Sequence, residues 1–169
     1  MLRISSPLSK VLERQQKQIE KLKQRSALEL ETLSPSFQRH VATILLHLEG
    51  KGWSPVVFHG ERTKEEQAEK VKAGYSKTLN SFHVAGSSLN KGRNGLYWRI
   101  KGEAADIVDV RFLWSGPAED LDFQFWSDLG AIARTLGLVW GGDWKKFRDV
   151  AHVEVNRTEF TQDVRGTRV

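Results

Sequence analysis

The sequence predicts an α+β fold, in which a small antiparallel sheet has flanking helices and a basic helix precedes the domain. Two observations predict this class. Helical periodicity dominates the first part of the chain, and strand-forming runs cluster later with one helix between them. Helices and strands that are grouped in this way favour an α+β arrangement over a doubly wound sheet.

Four segments have the features of helices. Apolar residues recur every three or four positions in residues 7–30, 37–50 and 122–136. A further helix is predicted to begin after Thr63, because Thr63 and Glu66 have the spacing of a capping box. Predicted strands are rich in β-branched and aromatic residues, and they span residues 54–58, 96–100, 104–110 and 150–155.

Length and composition limit the class of protein. The chain has 169 residues, of which 39% are hydrophobic and 28% charged, as expected for one globular domain. It contains no cysteine, which excludes disulfides, Cys-ligated zinc, iron–sulfur clusters and thiol catalysis. Any metal must therefore be held by histidines and carboxylates.

The basic charge is concentrated at the N-terminus. The chain has a net charge of +5, and the segment up to Leu30 holds seven Lys/Arg and three Glu. We divide the chain into a basic helical extension (1–32), a main domain (33–157) and a polar tail (158–169). The extension is interpreted as a solvated helix along the domain or as a contact surface for an anionic polymer or membrane. A nucleic-acid-binding module is the least supported alternative, since no aromatic interleaving accompanies the charge.

No segment has the length and apolarity expected of a membrane span. No apolar run approaches the roughly 20 residues that cross a bilayer, and the N-terminus lacks the apolar region of a signal peptide. We therefore expect synthesis in the cytoplasm without a signal peptide. The sequence makes no prediction of the oligomeric state.

Two of the five histidines are candidate metal ligands. His83 is predicted at the end of a loop and His152 on the last strand, while Asp106 is an acid within an otherwise apolar strand. Buried carboxylates rarely persist without a metal or a cation. Two imidazoles and one carboxylate would form a three-ligand zinc site with an open position for water. His40 and His47 are interpreted as surface or packing residues, whereas His59, which precedes a glycine in a turn, has either a structural role or a place in the wall of a cleft.

Three motifs around these residues resemble a known family of zinc peptidases. Residues 60–67 match its Gly-x-Arg-Thr-x-x-x-Gln segment, and residues 81–86 with 102–106 match the two halves of Ser-x-His-x-x-Gly-x-Ala-x-Asp. Residues 140–152 match Trp-Gly-Gly-Asp-Trp-Lys-x-Phe-x-Asp-x-x-His. The chain thus resembles the D-alanyl-D-alanine carboxypeptidases and L-alanyl-D-glutamate endopeptidases of the hedgehog/DD-peptidase fold, and it is most similar to the phage endolysin-type members. The resemblance covers residues 33–155.

The resemblance implies roles for several of the matched residues. It implies one Zn²⁺ per chain, held by His83, Asp106 and His152. Asp149 would act as the catalytic base, and Arg62 would hold a substrate carbonyl or carboxylate or stabilise the oxyanion, with a structural ion pair as its alternative. Glu154 is a candidate partner of a ligand. Five further matched residues would contact substrate, with orientation of the loop as the alternative for Ser81 and core packing as the alternative for the two tryptophans: Ser81, Trp140, Gly141, Gly142 and Trp144.

One departure from the family pattern lies between two proposed ligands. In the family they share one short motif, whereas here Asp106 follows His83 by 23 residues. Asn94-Gly95 is a strong hairpin signal, so we predict that residues 87–101 form a β-hairpin that returns the chain to the site. Should Asp106 fail as a ligand, Glu103 and Asp109 are the substitutes.

The function implied is hydrolysis of the stem peptide of peptidoglycan. The final motif favours cleavage of the L-Ala–D-Glu bond, by a phage lysis enzyme or a secreted wall-degrading effector that acts after release. The alternatives are a D-Ala-D-Ala carboxypeptidase and a non-catalytic peptidoglycan-binding protein of the same fold. No nucleic-acid partner is expected.

Overall fold

The computed structural model describes residues 7–85, 88–92, 95–98 and 102–156, so the predicted tail at 158–169 lies outside the described residues. The described helices and strands confirm the predicted α+β class. In chain order the elements are α1 (Pro7–Glu31), α2 (Pro35–Gly50), β1 (Pro55–His59), α3 (Lys64–Lys72), β2 (Ser88–Gly92), β3 (Gly95–Trp98), β4 (Ala104–Asp109), α4 (Gln124–Thr135), β5 (Val139–Trp140) and β6 (His152–Glu154).

The main sheet has four antiparallel strands in the order β1-β4-β6-β5. Its central strand β4 is buried along its whole length, and helices α2 and α4 pack over the sheet through apolar faces. The face of α2 consists of Phe37, Val41, Ile44 and Leu48, which are all fully buried. Burial of a large apolar side chain contributes roughly 1.5–3 kcal/mol, so these faces hold the helices on the sheet.

The segment that separates the two halves of the family motif forms a hairpin of its own. Strands β2 and β3 pair antiparallel, with Ser88 opposite Trp98 and Gly92 opposite Gly95. This confirms the predicted hairpin; of the tip expected at residues 93–95, residues 93 and 94 lie outside the described residues. The pairing brings the chain back toward its point of departure before β4 begins.

Helix α1 has two unlike halves. In the C-terminal half, Ile19 and Leu22 pack against the core and Ser26 is buried, whereas Leu8 and Leu12 in the N-terminal half are exposed. The predicted domain boundary at residue 32 falls one residue after a helix whose C-terminal half lies on strand β1. Among the described residues, no helix is long and apolar enough to cross a membrane.

Candidate metal centre and cleft

Three elements bring His83, Asp106 and His152 together. Asp106 and His152 are direct partners in the β4–β6 pairing, so their side chains leave the same face of adjacent strands. His83 lies in the turn before the hairpin, where its carbonyl accepts a hydrogen bond from the Arg62 N–H at 2.8 Å. His83 and Asp106 therefore lie close together in the structure, although Asp106 follows His83 by 23 residues in the sequence.

The candidate ligand atoms lie close together and are buried. His83 Nε2 is 3.2 Å from Asp106 Oδ1 and 3.3 Å from His152 Nδ1, and His152 Nδ1 is 3.3 Å from the same carboxylate oxygen. One ligand atom from each residue lies within 4.8 Å of the other two. Three such donors facing one point are suited to a single metal ion.

The second nitrogen of each imidazole has a hydrogen-bond partner. His83 Nδ1 lies 2.5 Å from the carbonyl oxygen of Gly60, and His152 Nε2 lies 3.1 Å from Glu154 Oε2. Each partner is an acceptor, so the outer nitrogen of each ring can keep its N–H when the inner nitrogen gives its lone pair to a metal ion. Outer contacts of this kind orient histidine ligands in metal sites, and the donor set fits zinc.

The electrostatics of this cluster favour a cation. Burial lowers the pKa of His152, but its hydrogen bonds to Asp106 and Glu154 outweigh burial and raise the pKa to about 10. Burial would raise the pKa of Asp106, but the neighbouring His83 charge and hydrogen bonds from both histidines hold it well below its usual range. The negative potential that favours a proton on His152 also favours a metal ion at this point.

Arg62 lies against one of the candidate ligands. Its guanidinium Nη2 donates to Asp106 Oδ2, and its Nη1 is 3.5 Å from Gln67 Oε1. The ion pair that the sequence left as an alternative for Arg62 is therefore present. The same residue also lines the cleft in front of the cluster.

An open cleft of about 780 Å³ leads to the cluster. Its wall contains aromatic rings, among them Tyr75, Trp144 and Phe147, and cations, among them Lys70 and Lys77. Ser81 also lines it, and the Ser81 Oγ accepts a hydrogen bond from the His83 N–H at 3.3 Å. The cleft can hold an extended peptide with negatively charged groups.

Asp149 lines the same cleft as the cluster. The chain turns between Asp149 and β6, and the His152 N–H donates to the Asp149 carbonyl at 3.2 Å. This turn supplies the bend that an acid three residues before a strand ligand needs to reach the ligand's side. Burial raises the pKa of Asp149, and the charge of Asp106 adds to the shift.

Two tryptophans and two glycines are expected in the cleft wall: Trp140, Gly141, Gly142 and Trp144. Of these, only Trp144 lines the cleft. The Trp140 ring is buried, and its Nε1 donates to the Val150 carbonyl at 2.8 Å. A Cβ on Gly141 would lie 2.4 Å from the Asp149 carbonyl oxygen, and one on Gly142 would lie 2.2 Å from the Trp140 ring. These two glycines allow the protein's own chain to pack closely beneath the site.

The cleft contains residues that the motifs do not include. His59, for which the sequence leaves a structural role or a place in a cleft open, lines this cleft, where burial and then the charge of Arg62 lower its pKa to about 4. It lies opposite Asp106 in the β1–β4 register, which places it beside the cluster. Lys70 and Tyr75, on α3 and just after it, also line the cleft, and no motif in the sequence indicates them.

The two substitute ligands have other positions. Asp109 is buried at the far end of β4, where it accepts hydrogen bonds from the Ser54 N–H at 2.7 Å and from Arg111 Nε at 2.8 Å. Glu103 is also buried, and neither residue lines the cleft. The structure gives both a place outside the cluster.

Two histidines and one carboxylate that converge in an open cleft are the donor set typical of catalytic zinc sites in hydrolases. Comparisons with known proteins agree with this class. A family model described as D-alanyl-D-alanine carboxypeptidase matches residues 75–155. The L-alanyl-D-glutamate peptidase of Listeria phage A118 is 29% identical over 142 residues, which make up 84% of this chain and 44% of the phage protein.

A bacterial relative and a solved structure extend the comparison. The peptidoglycan L-alanyl-D-glutamate endopeptidase CwlK of Bacillus subtilis (strain 168) is 29% identical over 134 residues, or 73% of each protein. The L-Ala D-Glu endopeptidase ChiX of Serratia marcescens has a similar fold, with a TM-score of 0.57 at 22% identity, covering 82% of this chain and 91% of that one.

The chain is thus similar to D-alanyl-D-alanine carboxypeptidase over residues 75–155 and to two L-alanyl-D-glutamate peptidases over most of its length. It spans less than half the length of the phage relative.

Proposed function

We propose that this chain is a zinc-dependent peptidase that hydrolyses the stem peptide of peptidoglycan between L-Ala and D-Glu. The observation that carries the proposal is the convergence of His83, Asp106 and His152 in a cleft that also contains Asp149. The names of two relatives support the choice of bond, since both are L-alanyl-D-glutamate peptidases. Its place of action would be the cell wall, reached after release or secretion.

In this proposal His83 Nε2, His152 Nδ1 and the Asp106 carboxylate hold one Zn²⁺. Zinc bound there supplies Lewis acidity, which activates water and polarises the scissile carbonyl. Gly60 and Glu154 hold the two imidazoles in the required orientation. Arg62 supports Asp106, and its position on the cleft also lets it donate to the substrate carbonyl.

Asp149 is the proposed general base. It accepts a proton from the attacking water and passes it to the leaving amine as the peptide bond breaks. Burial and the charge of Asp106 raise the pKa of Asp149, which makes its carboxylate a better proton acceptor near neutral pH.

Substrate contacts are proposed along the cleft wall. Ser81 and Trp144 lie beside the cluster, while Lys70 and Lys77 supply positive charge farther along. A stem peptide carries free carboxylates, so cationic side chains on the wall would favour its binding. Trp140, Gly141 and Gly142, which the family resemblance implied as substrate contacts, support the site from below.

The test is to incubate the zinc-loaded protein with purified peptidoglycan and identify the new ends by mass spectrometry. We expect a new D-Glu amino terminus and a new L-Ala carboxyl terminus, and neither with Asp149→Asn. The matched control is Asp143→Asn, which changes an exposed acid paired with Arg134 and should leave cleavage unchanged. Zinc-loaded protein that releases no stem fragment would refute the proposed activity and favour a non-catalytic binder.

A second candidate activity has one observation in its favour. The matching family model is described as D-alanyl-D-alanine carboxypeptidase. Release of free D-Ala from a pentapeptide stem, without a new D-Glu amino terminus, would identify the protein as a carboxypeptidase instead.

A further inference from the structure

Three polar side chains near the end of α1 accept hydrogen bonds from strand β1 and from the two residues that follow it. Ser26 Oγ accepts from the Val57 N–H, Glu29 Oε2 accepts from the Gly60 N–H, and Thr32 Oγ1 accepts from the Glu61 N–H, each at 2.8 Å. Strand β1 is the edge of the sheet, so the Val57 N–H has no strand on that side. Helix α1 therefore takes the place of a neighbouring strand.

The last two of these contacts surround the peptide group that orients His83. The carbonyl of Gly60 accepts from His83 Nδ1, and the N–H of the same peptide group, on Glu61, donates to Thr32. The preceding peptide group donates its N–H to Glu29. Hydrogen bonds at both ends of one peptide group fix its plane and strengthen one another.

Gly60 is required for this close approach. A Cβ at residue 60 would lie 2.5 Å from the Glu29 carbonyl oxygen and 2.5 Å from Thr32 Oγ1. The Thr32 hydroxyl is itself held, because it donates to the Glu29 carbonyl at 2.6 Å. The peptide at Gly60 is thus fixed between α1 on one side and His83 on the other.

We propose that Glu29 and Thr32 are positioning residues for the metal ligand His83. They hold the peptide group whose carbonyl fixes the His83 ring, so that His83 Nε2 faces Asp106 and His152. Ser26 contacts β1 at Val57, which has no hydrogen bond to His83, and it serves only to attach the helix. The N-terminal helix is then a part of the metal site rather than an extension added to a complete domain.

The proposal rests on the proposed zinc site but not on the substrate. The test uses the full chain with Thr32→Val, which preserves shape and removes the acceptor for the Glu61 N–H. Zinc affinity is measured by competition with a chromogenic chelator. The orientation and tautomer of His83 are followed in the metal-free protein from the ¹⁵N and ¹H signals of its imidazole. Loss of an outer contact to a histidine ligand typically costs about 10–100-fold in metal affinity, and we expect a decrease of this size.

The matched control is Ser26→Ala, which removes the same kind of contact four residues earlier in the chain, at Val57. We expect it to lower thermal stability while zinc affinity and the His83 signals stay as in the wild type. Glu29→Ala should weaken zinc binding, and Glu29→Gln should restore it, because glutamine keeps an oxygen for the Gly60 N–H but loses the ion pair with Arg25. If Thr32→Val does not fold, the comparison of Glu29→Ala with Glu29→Gln tests the proposal instead.

Wild-type zinc affinity and unchanged His83 signals in folded Thr32→Val, or in Glu29→Ala, would overturn the proposal. Equal losses of zinc affinity in Ser26→Ala and Thr32→Val would also overturn it, because the helix would then act only through general stability. Failure of the proposed function is distinguishable from these results, since the wild-type protein itself would bind no zinc or release no stem fragment.

Discussion

The two histidines of the candidate metal centre are oriented in different ways. His152 is held by Glu154, which lies two residues along the same strand, whereas His83 is held by the carbonyl of Gly60 in a segment that α1 holds in place. The first arrangement is local and electrostatic, because a carboxylate carries the contact. The second is built from backbone and depends on a helix far away in sequence. One candidate ligand is thus held within its own strand, and the other through a segment that contacts a separate helix.

The largest effect is expected from removing a ligand rather than its support. His152→Ala and His83→Ala should each abolish stoichiometric zinc binding and cleavage together, which metal analysis and the peptidoglycan assay can measure.

Asp149→Ala should keep the zinc and the fold and lose about 10²–10⁴ in rate, the typical contribution of a general base. At saturating zinc, Asp149→Ala should also have a higher melting temperature than His152→Ala and His83→Ala, because only Asp149→Ala keeps the metal. Cleavage by Asp149→Ala at the wild-type rate would exclude this residue as the base.

Glu154→Gln tests the local arrangement at His152. We expect a loss of about 10–100-fold in zinc affinity, because glutamine keeps an oxygen beside His152 Nε2 but removes the negative charge that makes the imidazole a stronger ligand. In the metal-free protein, the pKa of His152 is raised from 6.5 to about 10, in part by Glu154. A raised pKa stabilises the folded state below the unfolded value of 6.5, and this contribution is lost as the pH rises to about 10.

Denaturation of metal-free protein across this range measures that contribution. The difference in free energy of unfolding between wild type and Glu154→Gln should be largest near about pH 6 and shrink toward pH 10. A difference that stays constant over this range would show that Glu154 acts on His152 only through packing.

Gly60→Ala tests the packed arrangement at His83. The new Cβ would meet the Glu29 carbonyl and Thr32 Oγ1 at 2.5 Å, so the strand or the helix must shift. Overpacking of this kind costs typically about 1–3 kcal/mol, which chemical denaturation can measure. Zinc affinity should fall as well, by about tenfold, since the carbonyl that orients His83 moves with the residue. Wild-type affinity in a destabilised Gly60→Ala protein would separate helix packing from ligand orientation.

The smallest effect on the metal centre is expected at Asp109, which lies on the same strand as Asp106. Burial would raise its pKa, but hydrogen bonds from the Arg111 side chain and from the Ser54 and Arg111 N–H groups outweigh burial and lower it. Asp109→Asn should leave zinc affinity unchanged and lower stability at neutral pH by about 1–3 kcal/mol. A lowered pKa stabilises the fold above the unfolded value of about 3.9, and this contribution disappears as the pH falls. Altered zinc binding in this variant would restore Asp109 as a ligand candidate.

The sequence predicts the contacts between residues that lie near each other in the chain. The Thr63 capping box forms as predicted, with Glu66 N–H donating to the Thr63 hydroxyl and the Glu66 carboxylate accepting from the Thr63 N–H. The hairpin was predictable because its turn residues have strong preferences, and its pairing explains how two neighbouring side chains can be 23 positions apart in the chain. The contact between His152 and Glu154 follows from the alternation of a strand, which puts residues two apart on one face.

What could not be predicted depends on which segments pack together. No spacing in the sequence indicates that Glu29 and Thr32 reach the peptide groups around Gly60, since the contact forms only after α1 docks on β1. Trp140 and Trp144 share one motif, yet one ring is buried beneath the site and the other lines the cleft. The two-residue strand β5 was also missed, because it is too short to show alternation.

The most direct test of the metal centre is a crystal structure of the zinc-loaded protein with anomalous scattering recorded at the zinc edge. We expect one strong peak per chain, about 2.0–2.1 Å from His83 Nε2 and His152 Nδ1 and about 2.0–2.2 Å from a carboxylate oxygen of Asp106. A peak bound through His83 Nδ1 or His152 Nε2, or no peak among the three residues, would contradict the account of how these side chains are held.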